Sequence, residues 1–210
     1  MKKNPSGGFG SEVHPPYDLT RFARTQTILA RCIREEECEQ PERIAGVDVA
    51  YAGKAYAACV VCDLDLVIVE SNLSISPIHF PYIPAFFSFR EFPPLMNVLR
   101  NMEFDLLFVH GHGRAHPRLF GLACHVGLFV GKPTIGIASG LICGEIVEDK
   151  VTDKGTLVGR VWKKNIVSVG NLITLENAVA YTVLFSPHGF PLPLRYAHDL
   201  TEKLISTENE

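Results

Sequence analysis

Arg43-Ile-Ala-Gly-Val-Asp-Val-Ala-Tyr51 is the stretch on which the reading of the chain turns. Its β-branched and small apolar residues describe a strand, and the two-residue period of a strand sends Gly46, Asp48 and Ala50 to one face. A carboxylate in mid-strand is costly to bury unless it is paired or bound to metal, so Asp48 calls for a partner. A buried salt bridge and a metal site both answer that call, and its small neighbours leave room for either. Ala55–Asp63 and Leu66–Ile75 repeat the strand composition after the turns Ala52-Gly53-Lys54 and Asp63–Asp65. Three strands joined by short turns predict an antiparallel meander.

Working outward, the pattern changes to alternation. Ser88–Met102 reads as a helix, Asp105–His110 as a buried strand, Pro117–Val130 as a helix and Pro133–Ala138 as another buried strand, which implies parallel additions to the sheet. Thr156–Val161 and Ile166–Val169 form a further hairpin, and Leu175–Phe185 a helix opened by Thr174. Upstream, Tyr17–Ile33 has helical apolar spacing with Asp18 as N-cap; downstream, Arg195–Ile205 closes the chain with a helix. No repeat or long linker divides the 210 residues, and 47% hydrophobic composition suffices for one core. The expectation is a single α/β domain over 1–210, a mixed β-sheet flanked by helices, with flexible tails at about 1–16 and 206–210.

Composition narrows the setting. The longest apolar runs, Leu106–Val109 and Leu122–Val130, fall well short of a bilayer span. Met1–Ser11 has no apolar stretch behind its lysines, so no secretory signal is read, and a cytoplasmic protein with no membrane partner is expected. The six cysteines then read as free buried thiols, and Cys59-x-x-Cys62 lies in a strand with no second pair at zinc spacing. A net charge of −3 lacks the footprint of a strong non-specific nucleic-acid binder. A local groove of Arg90, Arg114, Arg118 and Lys132 can still hold a phosphate backbone.

Two further segments carry chemistry. Phe80-Pro-Tyr-Ile-Pro-Ala-Phe-Phe-Ser-Phe-Arg-Glu91 brackets Tyr82 and Ile83 with prolines. It is either a stiff loop presenting Tyr82 as a wedge between bases or a turn packing its aromatics inward. Glu91, just inside the next helix, either binds metal or favours the helix N-terminus. Leu107-Phe-Val-His-Gly-His-Gly-Arg-Ala-His-Pro-Arg118 ends a buried strand in glycines and delivers His110, His112 and His116. Alternation joins His110 with His112 and separates His116, which argues against one zinc cluster. With Pro117 in a first helical turn, His116 and Arg118 would lie at a helix N-terminus suited to anions.

Taken in order, Ile-Ala-Gly-Val-Asp48, Pro81-Tyr-Ile-Pro84, Phe89-Arg-Glu91, Gly111-His-Gly113, His116-Pro-Arg118, Gly121-Leu-Ala-Cys-His125 and Pro133-Thr-Ile-Gly-Ile-Ala138 resemble the successive motifs of the endonuclease V family. Gln26, Ser168-Val-Gly170 and Arg195-Tyr-Ala-His198 extend the likeness over roughly residues 18 to 204. The resemblance implies a ribonuclease H-like fold and a monomer. It also implies metal-dependent hydrolysis of the second phosphodiester 3′ to a deaminated base, chiefly deoxyinosine in DNA, with RNA as the substrate of some members. The products would be a 3′-hydroxyl and a 5′-phosphate, and the metal Mg²⁺, with Mn²⁺ possible or preferred.

Carried over residue by residue, Asp48 resembles the central metal ligand, and Glu91 and His198 further catalytic positions. Tyr82 with Pro81, Ile83 and Pro84 is similar to the strand-separating wedge; His116 and Arg118 fall among the DNA contacts; Ala85, Gly111 and Gly113 line the base pocket. The chain departs from the pattern at four places. His110 replaces a second metal-binding aspartate, Ser139 a lysine, Asn171 a histidine, and Ala85 the glycine after the wedge. Imidazole in place of carboxylate removes a negative charge and suits Mn²⁺ better than Mg²⁺. Asp105 cannot deputise, being roughly 16 Å along the strand. These departures leave a second expectation: a protein that binds deaminated nucleic acid with cleavage impaired or lost.

Overall fold

A computed structural model describes residues 17–208. The meander forms as expected: β1 (Ile44–Ala52) pairs antiparallel with β2 (Lys54–Cys62), and β2 with β3 (Ile68–Ser76). On the other side of β1, β4 (Leu106–His110) and β5 (Thr134–Ala138) add in parallel. Two strands without an alternating apolar signal, β6 (Glu145–Val147) and β7 (Lys150–Asp153), went unforeseen. With the hairpin of β8 (Thr156–Trp162) and β9 (Asn165–Asn171) they complete a nine-stranded mixed sheet of order β3-β2-β1-β4-β5-β9-β8-β7-β6.

Among the described residues are five α-helices, four of which pack on the sheet. Asp18 caps α1 (Leu19–Leu29), its carboxylate accepting from the amides of Thr20 and Arg21. One face of the sheet is covered by α2 (Phe87–Leu99) and α3 (Leu122–Val130), which bury Leu95, Val98 and Val126 against Val47, Leu107 and Val109. The other is covered by α4 (Leu175–Leu184), opened by Thr174 as expected, and α5 (Leu192–Glu208), which close over Ile44, Phe108, Ile135 and Ile137. Covered on both faces, the parallel strands are continuous apolar runs. None of the described helices is long and apolar enough to cross a membrane.

Several local expectations need correction. The third helix starts at Leu122 rather than Pro117, because Leu119 adopts φ +53, outside the right-handed helical region, and Gly121 packs against the His112 carbonyl. His116 and Arg118 therefore do not sit at a helix N-terminus. Residues 206–208 continue α5, and Glu208 accepts from Lys54 Nζ at 2.8 Å and from the Tyr56 hydroxyl. The expected tail at 1–16 and the last two residues lie outside the described residues. Three of the four cations expected to form a phosphate groove already have partners within the chain. Arg114 pairs with Glu35, Arg118 with Gln26, and Arg90 donates to the Phe80 carbonyl. Cys59, Cys62 and Cys124 are buried free thiols, but Cys32 is exposed and Cys38 and Cys143 are half-buried. Cys59 and Cys62 point to opposite faces of β2, and burial pushes each thiol up to about 12.

Two backbone features set the geometry around Asp48 and Tyr82. At Gly46 a Cβ would lie 2.3 Å from the Pro193 carbonyl carbon, so the first turn of α5 rests directly on β1. The Phe80–Phe86 loop is anchored at both ends. The Phe80 ring packs against Tyr17, Phe22 and Phe89. At the far end, the Ala85 carbonyl accepts from Gln26 Nε2 at 3.3 Å, His116 Nε2 at 3.0 Å and Arg118 Nη2. Ala85 itself is held at φ +62, a left-handed conformation unfavourable for a residue with a Cβ.

Gly46→Ala should drive a methyl group into the α5 backbone and lower unfolding stability by about 3 kcal/mol in a urea titration. Ala85→Gly relieves the left-handed strain, partly offset by greater freedom of the unfolded chain, and should raise stability by roughly 0.5–1 kcal/mol.

Candidate active site

The parallel register of β1 and β4 ends with Val47 opposite Val109, and one step further sets Asp48 beside His110. His110 donates from Nδ1 to Asp48 Oδ1 at 2.9 Å. From the opposite layer α5, seated on Gly46, brings His198, whose Nδ1 donates to Asp48 Oδ2 at 2.8 Å. Asp48 is 6% exposed, so a buried carboxylate has both oxygens bracketed by imidazoles. The acceptor fixes the tautomer: with the protons on Nδ1, Nε2 of each ring carries the lone pair when the ring is neutral. The hydrogen bond to Asp48 raises the pKa of His110, with burial pulling the other way.

Glu91 reaches the same place from α2 and is 4% exposed. Burial pushes its carboxyl well above the usual range and the negative charge of Asp48 adds to the push, while Arg90 opposes it. A buried carboxyl held beside a second negative charge is the electrostatic condition that a cation relieves. Among the described residues no three His, Cys, Asp or Glu side chains form a ready cage for a metal ion. Two carboxylates nevertheless suit Mg²⁺ or Mn²⁺, which commonly keep waters and take further oxygens from a substrate phosphate. The histidine segment does not converge: His112 Nε2 donates to the Gly140 carbonyl at 2.7 Å, and His116 is committed to Ala85. Burial, helped by the Arg118 charge, lowers the His116 pKa to about 4 and so keeps it neutral.

Asp48, Glu91 and His110 line a cleft of about 460 Å³, within the range of small-ligand sites. Tyr82, Pro84, Ala85, Gly111 and His116 line it too. Tyr82 stands 67% exposed at its edge, so the loop packs Phe80 inward and presents Tyr82 outward. Pro81, Ile83, Arg118, His198 and Gly113 are not in the cleft wall. Gly113 lies beneath β9, where a Cβ would meet the Val169 carbonyl at 2.0 Å. The sequence reading missed Ser88, Leu122 and the Leu141-Ile142 segment as cleft residues. It also missed the part of Gln26, a fully buried amide that accepts from Arg118 Nε at 2.7 Å. The available signal was a glutamine on the apolar face of α1; the others emerge only from packing.

The sequence model of the Endonuclease V family matches residues 26–199. An Endonuclease V from Pyrococcus abyssi is 41% identical over 192 residues, covering 90% of this chain and 94% of the relative. The crystal structure of Endonuclease V from Streptomyces avermitilis superposes with a TM-score of 0.86 at 29% identity, over 95% of this chain and 98% of the other. A Ciona intestinalis Endonuclease V (D234N), in complex with a 23mer DNA containing an inosine followed by a ribo-adenosine, shares the fold at 22% identity and a TM-score of 0.80, over 90% and 97% of the two chains. With its ribonuclease H-like mixed sheet and a family match across most of its length, the chain belongs to the Endonuclease V family.

Proposed function

We propose that this protein is a metal-dependent endonuclease for deaminated bases. Its substrate is chiefly deoxyinosine in DNA, and it hydrolyses the second phosphodiester 3′ to the lesion, leaving a 3′-hydroxyl and a 5′-phosphate. The observation that carries the reading is the pairing of two buried carboxyl groups, Asp48 and Glu91, in a cleft edged by an exposed, braced Tyr82. Asp48 and Glu91 would hold Mg²⁺ or Mn²⁺, which supplies a polarised phosphate and a water of lowered pKa. His110 and His198 orient the Asp48 carboxylate, and each keeps Nε2 for a proton or for a metal. Tyr82, with Pro81, Ile83 and Pro84, enters between bases, and Ala85 and Gly111 shape the pocket for the displaced one. Gly113 acts from behind by letting β9 close in. His116 and Arg118 brace Ala85 and so serve nucleic-acid binding at one remove. The protein works as a cytoplasmic monomer on this reading.

One observation favours a second reading, a protein that binds deaminated nucleic acid without efficient cleavage. Both oxygens of Asp48 are already engaged by histidines, so a metal must displace or share those hydrogen bonds. Ser139, in the cleft wall, offers only a neutral hydroxyl to a phosphate.

Cleavage of end-labelled duplex containing one deoxyinosine decides between the two. The expected outcome is nicking one nucleotide beyond the lesion, stronger with Mn²⁺ than Mg²⁺, and a loss of at least about a hundredfold in Asp48→Ala, roughly 2.7 kcal/mol of barrier. His110→Asp should shift the preference toward Mg²⁺. Wild type that binds the duplex yet leaves it intact, with nicking restored in His110→Asp, would establish the binding protein instead. A matched inosine-containing RNA strand assayed in parallel reads the sugar preference.

Tyr82→Ala should lower discrimination between inosine-containing and normal duplex by about tenfold, with the thermal midpoint almost unchanged because the ring is exposed. A large fall in the midpoint would mean that Tyr82 serves packing.

A further inference from the structure

On the far side of His110 lies a second cavity, of about 660 Å³, built from the β8–β9 turn and the segment leading into α5. Its charged lining is cationic: Lys163 and Lys164 from the turn, Arg195 from α5, and no Asp or Glu. Among the described residues none of these three forms a salt bridge, although the chain as a whole is acidic. Asn165, Ser186 and His188 complete its polar lining.

The turn is unusual for its geometry. Trp162 pairs with Asn165, leaving Lys163-Lys164 as a two-residue hairpin turn, with Lys163 at φ +57. Turns of this length favour Asn-Gly and similar pairs, which adopt positive φ without strain. Here the strained position carries a lysine, so positive charge stands where local backbone preference asks for none.

The cavity adjoins the cleft. Phe190, in its wall, has its ring centroid 6.0 Å from that of His110. Arg195 precedes His198 by three residues on α5, a rise of about 4.5 Å. A strand with its reacting phosphate at Asp48 would therefore have a neighbouring stretch of backbone within reach of this cavity.

We infer that the cavity lined by Lys163, Lys164 and Arg195 is a second phosphate site, which grips the nucleic-acid backbone outside the scissile position. The inference rests on the proposed function, since it takes the ligand to be a strand already held in the cleft. The site reads charge and no base, and so contributes affinity rather than recognition of inosine.

The test is equilibrium binding of a fluorescent inosine-containing duplex and its normal counterpart, in EDTA to prevent cleavage, over a salt series. Wild type is compared with Lys163→Gly/Lys164→Asn, which removes both charges while placing glycine at the one positive-φ position of the turn. Folding is checked by the thermal midpoint, expected to hold or rise. The plot of log affinity against log salt should become shallower by about 0.9 for each phosphate that the variant no longer neutralises, with affinity at low salt falling on the order of tenfold. The ratio of inosine to normal binding should stay unchanged. Unaltered slope and affinity would overturn the second site. A fall in the inosine ratio would overturn its role as a charge-only grip. Wild type without inosine preference, but with the slope change, would defeat the proposed substrate and leave the phosphate site standing. Arg195→Gln, should it add a further decrease in slope, supports the site; should it leave the slope of the double variant unchanged, Arg195 is removed from it.

Discussion

The direct seating of α5 on β1 is the contact on which the site depends. Glycine at position 46 allows the helix backbone to approach the strand with no side chain between them. That approach sets the height of the helix above the sheet, and the height sets which residue of α5 meets Asp48. His198 arrives at hydrogen-bond distance because of it. From the other direction the parallel register of β1 with β4 is equally rigid, since a shift of one residue would turn every core side chain to the wrong face. Asp48 is thus held between a register and a helix height, two constraints set by packing rather than by chemistry.

The electrostatics of the cleft run against that packing. Burial and the nearby Asp48 charge oppose ionisation of Glu91, while both oxygens of Asp48 are already taken up by imidazole hydrogen bonds. Interior polar groups that work against stability are typical of sites kept for function. The residue at position 110 bears on this balance in a definite way. A third carboxylate would deepen the repulsion, whereas His110 relieves it by donating to Asp48.

Much of the fold could be read from the sequence because its strongest signals are local. Alternation and turn residues gave the meander, and the apolar stretches ending at His110 and Ala138 gave the parallel pair. Asp48 was conspicuous as a charge among β-branched residues. What escaped was set by tertiary contacts. The strands β6 and β7 are too short and polar to show a period. Pro117 looked like a helix start because proline suits a first turn, yet the chain reverses through Leu119 to deliver His116 and Arg118 to Ala85. The glycines of the Gly111-His-Gly113 segment looked alike in sequence, but one lines the cleft and the other makes room for a neighbouring strand. Only the partner distinguishes them.

The Ala85 carbonyl, with three donors converging on one oxygen, also bears on where the work of opening a duplex is done. A loop already fixed by hydrogen bonds and an aromatic anchor loses little further freedom when a ligand arrives. It also yields little. If Tyr82 enters a base stack as proposed, the deformation must be borne by the nucleic acid, whose resistance varies with how well the local pair is stacked and bonded. A stiff probe of this kind samples mechanical weakness before any atom of the base is touched, and poorly held pairs would pass that first sieve ahead of sound ones.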